Sequence, residues 1–157
     1  MNRKVPLPGV AFSKIASENV MAPLVAVVSG ELTANVTGMP IGSARAAGKV
    51  SDVWLSVANC GDDDTNDLKA QVNVKINGTT CLGTQPYISY VSGETGSQQK
   101  TTKVTGDSNI QQAALASTNT FSPGDVFSYD LALTRVASPT VEMANLTITV
   151  EFEPDEG

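Results

Sequence analysis

The chain has 157 residues, 41% hydrophobic and 17% charged, a balance that suits one globular domain and excludes a disordered chain. Net charge is −6, which argues against a general nucleic-acid binder, whose affinity rests on neutralising phosphates. Histidine is absent, so the commonest general base and metal ligand is missing, and no Ser-His-Asp or Cys-His pair exists to build a nucleophile.

The first residues, MNRKVPLPGVAF, have a basic edge like that of a signal peptide, but Pro6, Pro8 and Gly9 break any continuous apolar region. They are therefore expected to belong to the mature chain. Residues 1–21 show no clear period and read as an extended N-terminal arm. The composition from Ser13 to Met21 accommodates one helical turn. Arg3, Lys4 and Lys14 make the first 17 residues purely basic, whereas Glu151, Glu153, Asp155 and Glu156 make the C-terminal end purely acidic. No apolar run approaches the roughly 20 residues of a membrane helix. The longest, Ala22 to Val28, is closed by Gly30 and Glu31. No membrane partner is expected.

From Ala22 onward apolar residues recur at every second position, as half-buried strands require. Val53, Leu55 and Val57 alternate with Asp52, Trp54, Ser56 and Ala58. Val72, Val74 and Ile76 do the same, as do Phe127 to Leu133 and Leu146 to Phe152. A slip of one residue would turn each apolar set into water, so the register of these four strands is well specified. Weaker strand patterns cover Leu24 to Val28, Leu32 to Val36, Thr79 to Leu82, Tyr87 to Val91 and Gln99 to Thr105. Asn77-Gly78 predicts a two-residue hairpin, and Ser122-Pro123-Gly124-Asp125 a turn that launches the Phe127 strand. Only Ile110 to Ser117 reads as a short helix, with Asp107 or Ser108 as its cap. The expected fold is an all-β jelly-roll sandwich over residues 22–157, carrying the arm.

The segment Asn59-Cys-Gly-Asp-Asp-Asp-Thr-Asn-Asp-Leu68 places four aspartates within six positions. Asp62, Asp64 and Asn66 match the start of a calcium loop. The match then fails, because Asp67 stands where the sharp turn needs glycine and Asn73 where a bidentate glutamate is required. A general acid needs a carboxyl kept neutral by burial, and a run of aspartates in a loop is expected to be wet. The expectation is a solvated connection between strands, with a cation site as the alternative. Cys60 and Cys81 are the only cysteines. A simple hairpin at Asn77-Gly78 puts Cys81 opposite Val74 and Cys60 nearer Lys69, which keeps the thiols apart, whereas another topology would join them. Trp54 lies on the face opposite Val53 and Leu55, where it serves packing, a subunit contact or sugar stacking. Sequons at Asn35, Asn77 and Asn145 are what Thr-rich strands produce by composition. No cofactor is expected.

Two stretches carry a family likeness. One is FSPGDVFSYDLALTRV (Phe121–Val136) followed by LTITVEFEP (Leu146–Pro154), and the other is Lys49 to Cys81. The Gly-Asp before the penultimate strand and the final strand ending in Glu-Phe-x-Pro resemble the head decoration (cement) proteins of tailed bacteriophages, virion proteins with a tumour-necrosis-factor-like (TNF-like) jelly roll. The likeness covers about two-thirds of the chain, in style of pattern. It implies a structural protein rather than an enzyme. It also implies a homotrimer, with the major capsid protein as partner and a place on the outer surface of the capsid. On that reading Arg3, Lys4 and Lys14 make charge contacts with the capsid, and Val5, Leu7 and Phe12 make apolar ones. A sugar- or receptor-binding tip of a phage fibre or tail is the alternative.

Overall fold

The computed structural model describes residues 21–155, and every paired strand in its sheets is antiparallel. Among the described residues there is no helix. The strands are β1 (Leu24–Glu31), β2 (Val36–Ser43), β3 (Gly48–Asn59), β4 (Leu68–Ile76), β5 (Thr79–Thr80), β6 (Leu82–Thr84), β7 (Tyr87–Tyr90), β8 (Lys100–Thr101), β9 (Ile110–Gln111), β10 (Ala114–Leu115), β11 (Thr120–Phe121), β12 (Val126–Thr134) and β13 (Ala144–Pro154). One sheet runs β1-β13-β3-β11 with β8 beside β3, the other runs β2-β12-β4-β7-β9 with β5 beside β4, and β6 and β10 form a small ribbon. The first four strands alternate between the two sheets, as do the last three, which is the winding of a jelly-roll-like sandwich.

The alternating sets explain this closure. Leu55 faces Ile148 and Val53 faces Val150 across β3 and β13, while Val74 faces Tyr129 and Val72 faces Leu131 across β4 and β12. These side chains are all buried, so the two inner faces share one core. At one end Phe121, Phe127 and Phe152 cluster with ring centroids 5.1–5.2 Å apart, the two Phe121 pairs meeting edge to face.

The two predicted turns are present and brace each other. Asn77 (φ 49°) and Gly78 (φ 82°) both take left-handed backbone between Ile76 and its partner Thr79. Asn77 Nδ2 donates to Asp125 Oδ1 at 2.8 Å, and the Val126 N–H donates back to Asn77 Oδ1 at 2.9 Å.

The helix expected over residues 110–117 does not form. Ile110–Gln111 pairs with β7 and Ala114–Leu115 with β6. Eight residues are too few to nucleate a helix alone, and two sheet edges offer this segment hydrogen bonds instead. Asn109, next to the expected caps, is left-handed at φ 57°, and Ile110 and Ala113 pack against the core. The strand expected over Leu32–Val36 is a crossover: Leu32 is buried and its N–H donates to Met143 O, and the strand starts only at Val36. Of Gln99–Thr105, only Lys100–Thr101 is strand.

Candidate protein-contact face

Strand β1 lies at the edge of its sheet, and among the described residues nothing pairs with its outer side. The register aligns Val25, Thr149 and Trp54 in one row across β1, β13 and β3, and Val27, Thr147 and Ser56 in the next. These side chains point away from the core. Val25 is 51% exposed and Val27 60%. An unbroken apolar run, LVAVV, hides this alternation in the sequence, so periodicity alone did not single out either valine. The pair forms an apolar margin beside a strip of threonines.

Trp54 is half-buried on this face and already engaged. Its indole N–H donates to Glu151 Oε1 at 3.0 Å, and Lys103 Nζ sits 5.8 Å from the ring centroid. Lys103 also contacts Asp52 Oδ2 at 2.7 Å and Glu151 Oε2 at 3.1 Å. The hydrogen bond to Asp52 above all, with Glu151 adding to it, holds the Lys103 ammonium above its ordinary range. Trp54 is therefore the apolar floor of a charged clamp, and Lys103 covers part of the ring that a sugar would stack on. Acidic Glu151 and Glu153 belong to β13 and are paired, Glu151 with Lys103 and Glu153 with Lys49 at 3.2 Å.

Next to Trp54 along β3 is a polar groove of about 550 Å³, lined by Ser56, Gln99, Thr101, Asp107, Asn145 and Thr147. At the end where the chain enters β1, a more apolar recess of about 440 Å³ is bounded by Met21, Pro23, Leu24, Ala44, Phe121 and Phe152. Arg3, Lys4, Val5, Leu7, Phe12 and Lys14 lie outside the described residues, as does most of the stretch read as a helical turn.

The aspartate segment connects β3 and β4, as expected, but it is not simply wet. Asp63 is only 6% exposed. Its Oδ1 accepts from the Thr65 N–H at 3.0 Å, the Asn66 N–H at 2.8 Å and Asn66 Nδ2 at 2.9 Å. The Thr65 bond, then the Asn66 side chain, hold this carboxyl below the usual aspartate range. The Tyr90 hydroxyl donates to Asp63 O, Ser92 N–H to Asp67 Oδ1 and Ser92 Oγ to Asp64 O. The sequence missed the burial because the loop from Val91 to Ser97 folds back over it; a side chain at Gly96 would strike the Asp62 carboxyl. Among the described residues no three acidic or thiol groups converge on a cation position. Cys60 and Cys81 are both buried and free, and Cys81 N–H donates to Val74 O as the hairpin register requires.

The three sequon asparagines hold backbone in place. Asn35 Oδ1 accepts from Leu133 N–H at 2.9 Å, Asn145 Oδ1 accepts from Gly30 N–H at 2.8 Å, and Asn77 joins the two turns. No protein-family model matches the chain, and no curated protein matches it.

Proposed function

We propose that this chain is a structural virion protein: a bacteriophage head decoration protein that binds the outer capsid surface as a trimer and stabilises contacts between capsomers. The observation that supports it most is the outer side of β1, unpaired among the described residues, where Val25 and Val27 are exposed. An edge strand with unpaired N–H and C=O groups beside apolar side chains is a ready template for contact with another chain. The likeness of Phe121–Val136, Leu146–Pro154 and Lys49–Cys81 to the decoration family supports the same reading. On this reading the protein works through contacts and has no catalytic step.

Such a protein works by mass action. A body that binds only the closed lattice stabilises that lattice by its binding free energy. Three arms on one knob convert a weak contact into a firm one. Arg3, Lys4 and Lys14 would meet acidic capsid surface, with Val5, Leu7 and Phe12 making apolar contacts. A body of net negative charge suits the shell's outer side, away from packaged DNA. Native mass measurement of the purified protein, followed by imaging of assembled particles, tests the reading; a monomer that leaves capsids bare refutes it.

A second reading, a carbohydrate- or receptor-binding tip, draws on the polar groove beside Trp54. Glycan-array binding that is lost in Trp54→Ala would favour it over decoration.

A further inference from the structure

Every other sheet edge among the described residues is blunted. β9 and β11 are two residues long, and β2 contains Pro40, a left-handed Gly38 and two register breaks against β12. Short edge strands, proline and bulges are the usual means of preventing strand addition. β1 has none of them from Leu24 to Ser29, with one irregularity only beyond Val28. Its core-facing residues Leu24, Ala26 and Val28 are only half-buried, whereas Ile148 and Val150 beside them are fully buried. Among the described residues the sandwich is therefore unsealed along β1, and one more strand would close it.

The sequence contains a segment chemically suited to that place. In an extended chain, alternate residues direct their N–H and C=O groups to opposite edges. Val5, Leu7 and Gly9 present complete pairs to one edge. Pro6 and Pro8 fall on the other edge, where they supply no donor. Residues 4–10 are thus competent to pair on one side and blocked on the other, so they would both fill an open edge and end it.

We infer that the open edge of β1 is paired by the backbone of residues Lys4–Val10 of a second copy of this chain, an engagement of main-chain groups that leaves the side chains of Lys4, Val5 and Leu7 for the capsid contact of the decoration reading. The 20 residues preceding Met21 reach up to about 70 Å when extended, enough to cross to a neighbour. Pro23 holds Ala22 in extended backbone, and Met21 packs at the end of the sandwich beside Phe121 and Phe152, so the arm departs from that end. Return of the arm onto its own β1 would need a reversal within residues 10–22, which contain neither glycine nor proline and only Ser13, Ser17 and Asn19 as turn formers. Donation from each copy to the next is a head-to-tail contact, which closes into a ring where the rotation between copies closes and extends as a filament where it does not. The number of copies in that ring rests on the trimer reading; the pairing itself does not.

The test uses full-length chains. A Ser13→Cys chain carrying a nitroxide is co-refolded with ¹⁵N-labelled native chain; Cys60 and Cys81 are buried and leave residue 13 as the labelling site. The expected result is broadening of the β1 amides of the ¹⁵N chain, with exchange of the Val5, Leu7 and Gly9 amides slowed at least about 100-fold relative to an unstructured chain. Leu7→Pro removes a central donor and should abolish both effects, whereas Pro6→Ala should retain them. Sharp β1 amides in a protein of trimeric mass overturn the pairing and leave the decoration reading standing. Broadening confined to the nitroxide-bearing chain's own β1, seen when that chain alone is ¹⁵N-labelled, also overturns it. A protein that shows the pairing yet leaves capsids bare removes the decoration reading alone.

Discussion

Lys100 points its ammonium inward to Glu94 Oε1 at 2.6 Å, with the two side chains 3% and 15% exposed. The same ammonium donates to Ser89 O at 2.6 Å and Ser108 O at 3.2 Å, and Glu94 also accepts from Val91 N–H, Ser108 Oγ and Asn109 Nδ2. One buried ion pair thus ties β7 to both ends of the long loop that leads to β9. Removing Glu94 leaves an uncompensated buried cation, which costs roughly 3–5 kcal/mol. Glu94→Ala should therefore lower the denaturant midpoint strongly. Lys100→Met should cost less, since Glu94 lies nearer solvent and hydrates more easily. A Glu94→Ala protein as stable as the native one would show that the pair does not organise the loop.

The aspartates set the response to acid. Asp63 is held low chiefly by the Thr65 N–H, Asp125 by the Ser122 N–H and Asp130 by its bond to Lys75. For Glu94 burial pushes upward, but Lys100 and the surrounding donors outweigh it and leave the carboxyl low. A depressed folded-state pKa means that the stabilisation is complete above the unfolded value, near 4, and disappears as pH falls through the lower folded values. Thermal stability should be flat from neutral pH to about 5 and then fall steeply. Asp63→Asn keeps an acceptor oxygen but loses the titration, so its deficit against the native protein should shrink at pH 2.5, as read by melting curves at the two pH values. Because the carboxylates cap turns, EDTA should leave the melting temperature unchanged; a large drop would expose a cation site in this loop.

How much the sequence disclosed depended on whether a feature was local. Val53-Leu55-Val57 and its three counterparts declared their register, because period-2 alternation is written within one strand. Asn77-Gly78 declared a hairpin for the same reason, but the brace from Asn77 to Asp125 joins residues far apart in the chain and left no local trace. The Ile110–Ser117 segment misled because Gln, Ala and Leu favour helix locally, while the edges of β6 and β7 decided its structure. Asp63 looked wet because nothing in the sequence reveals that Tyr90 and the loop after it close over this segment, with Gly96 against the neighbouring Asp62. At the contact face Trp54 stood out as the single tryptophan, but its partner Lys103 lies in a different segment, and Val25 and Val27 were concealed in a uniformly apolar run. Leu131 tests the register directly. It is buried between Val36 and Val72, so Leu131→Asp should abolish the cooperative unfolding transition, and a well-folded variant would refute the assignment.

The cysteines should behave as buried thiols rather than as a disulfide. Burial pushes Cys81 up to about 11, which leaves about one thiolate in a thousand at pH 8. With both thiols buried, native protein should take up no iodoacetamide at pH 8 over hours, and unfolded protein should take up two equivalents. Reducing agent should leave the melting temperature unchanged. A single rapid adduct in native protein would place one thiol at the surface.

Strand β1 separates folding from assembly. Val25 and Val27 face solvent, so exchanging them for lysine removes no core contact and should change the stability of the isolated chain by at most about 0.5 kcal/mol per site. The inward residues Leu24, Ala26 and Val28 are untouched by the change, and the pairing of β1 with β13 is carried by backbone. The double variant Val25→Lys, Val27→Lys should accordingly retain its melting temperature in dilute solution. It should lose the higher-mass species, or capsid occupancy, because two buried cations without partners would oppose any contact with this margin. Deleting residues 1–15 should give the same division, with capsid attachment lost and the sandwich intact. If the lysine variant assembles and decorates capsids normally, the outward face of β1 is ordinary solvated surface and the capsid contact must lie elsewhere on the sandwich, whereas backbone pairing along the β1 edge is judged by the nitroxide experiment alone.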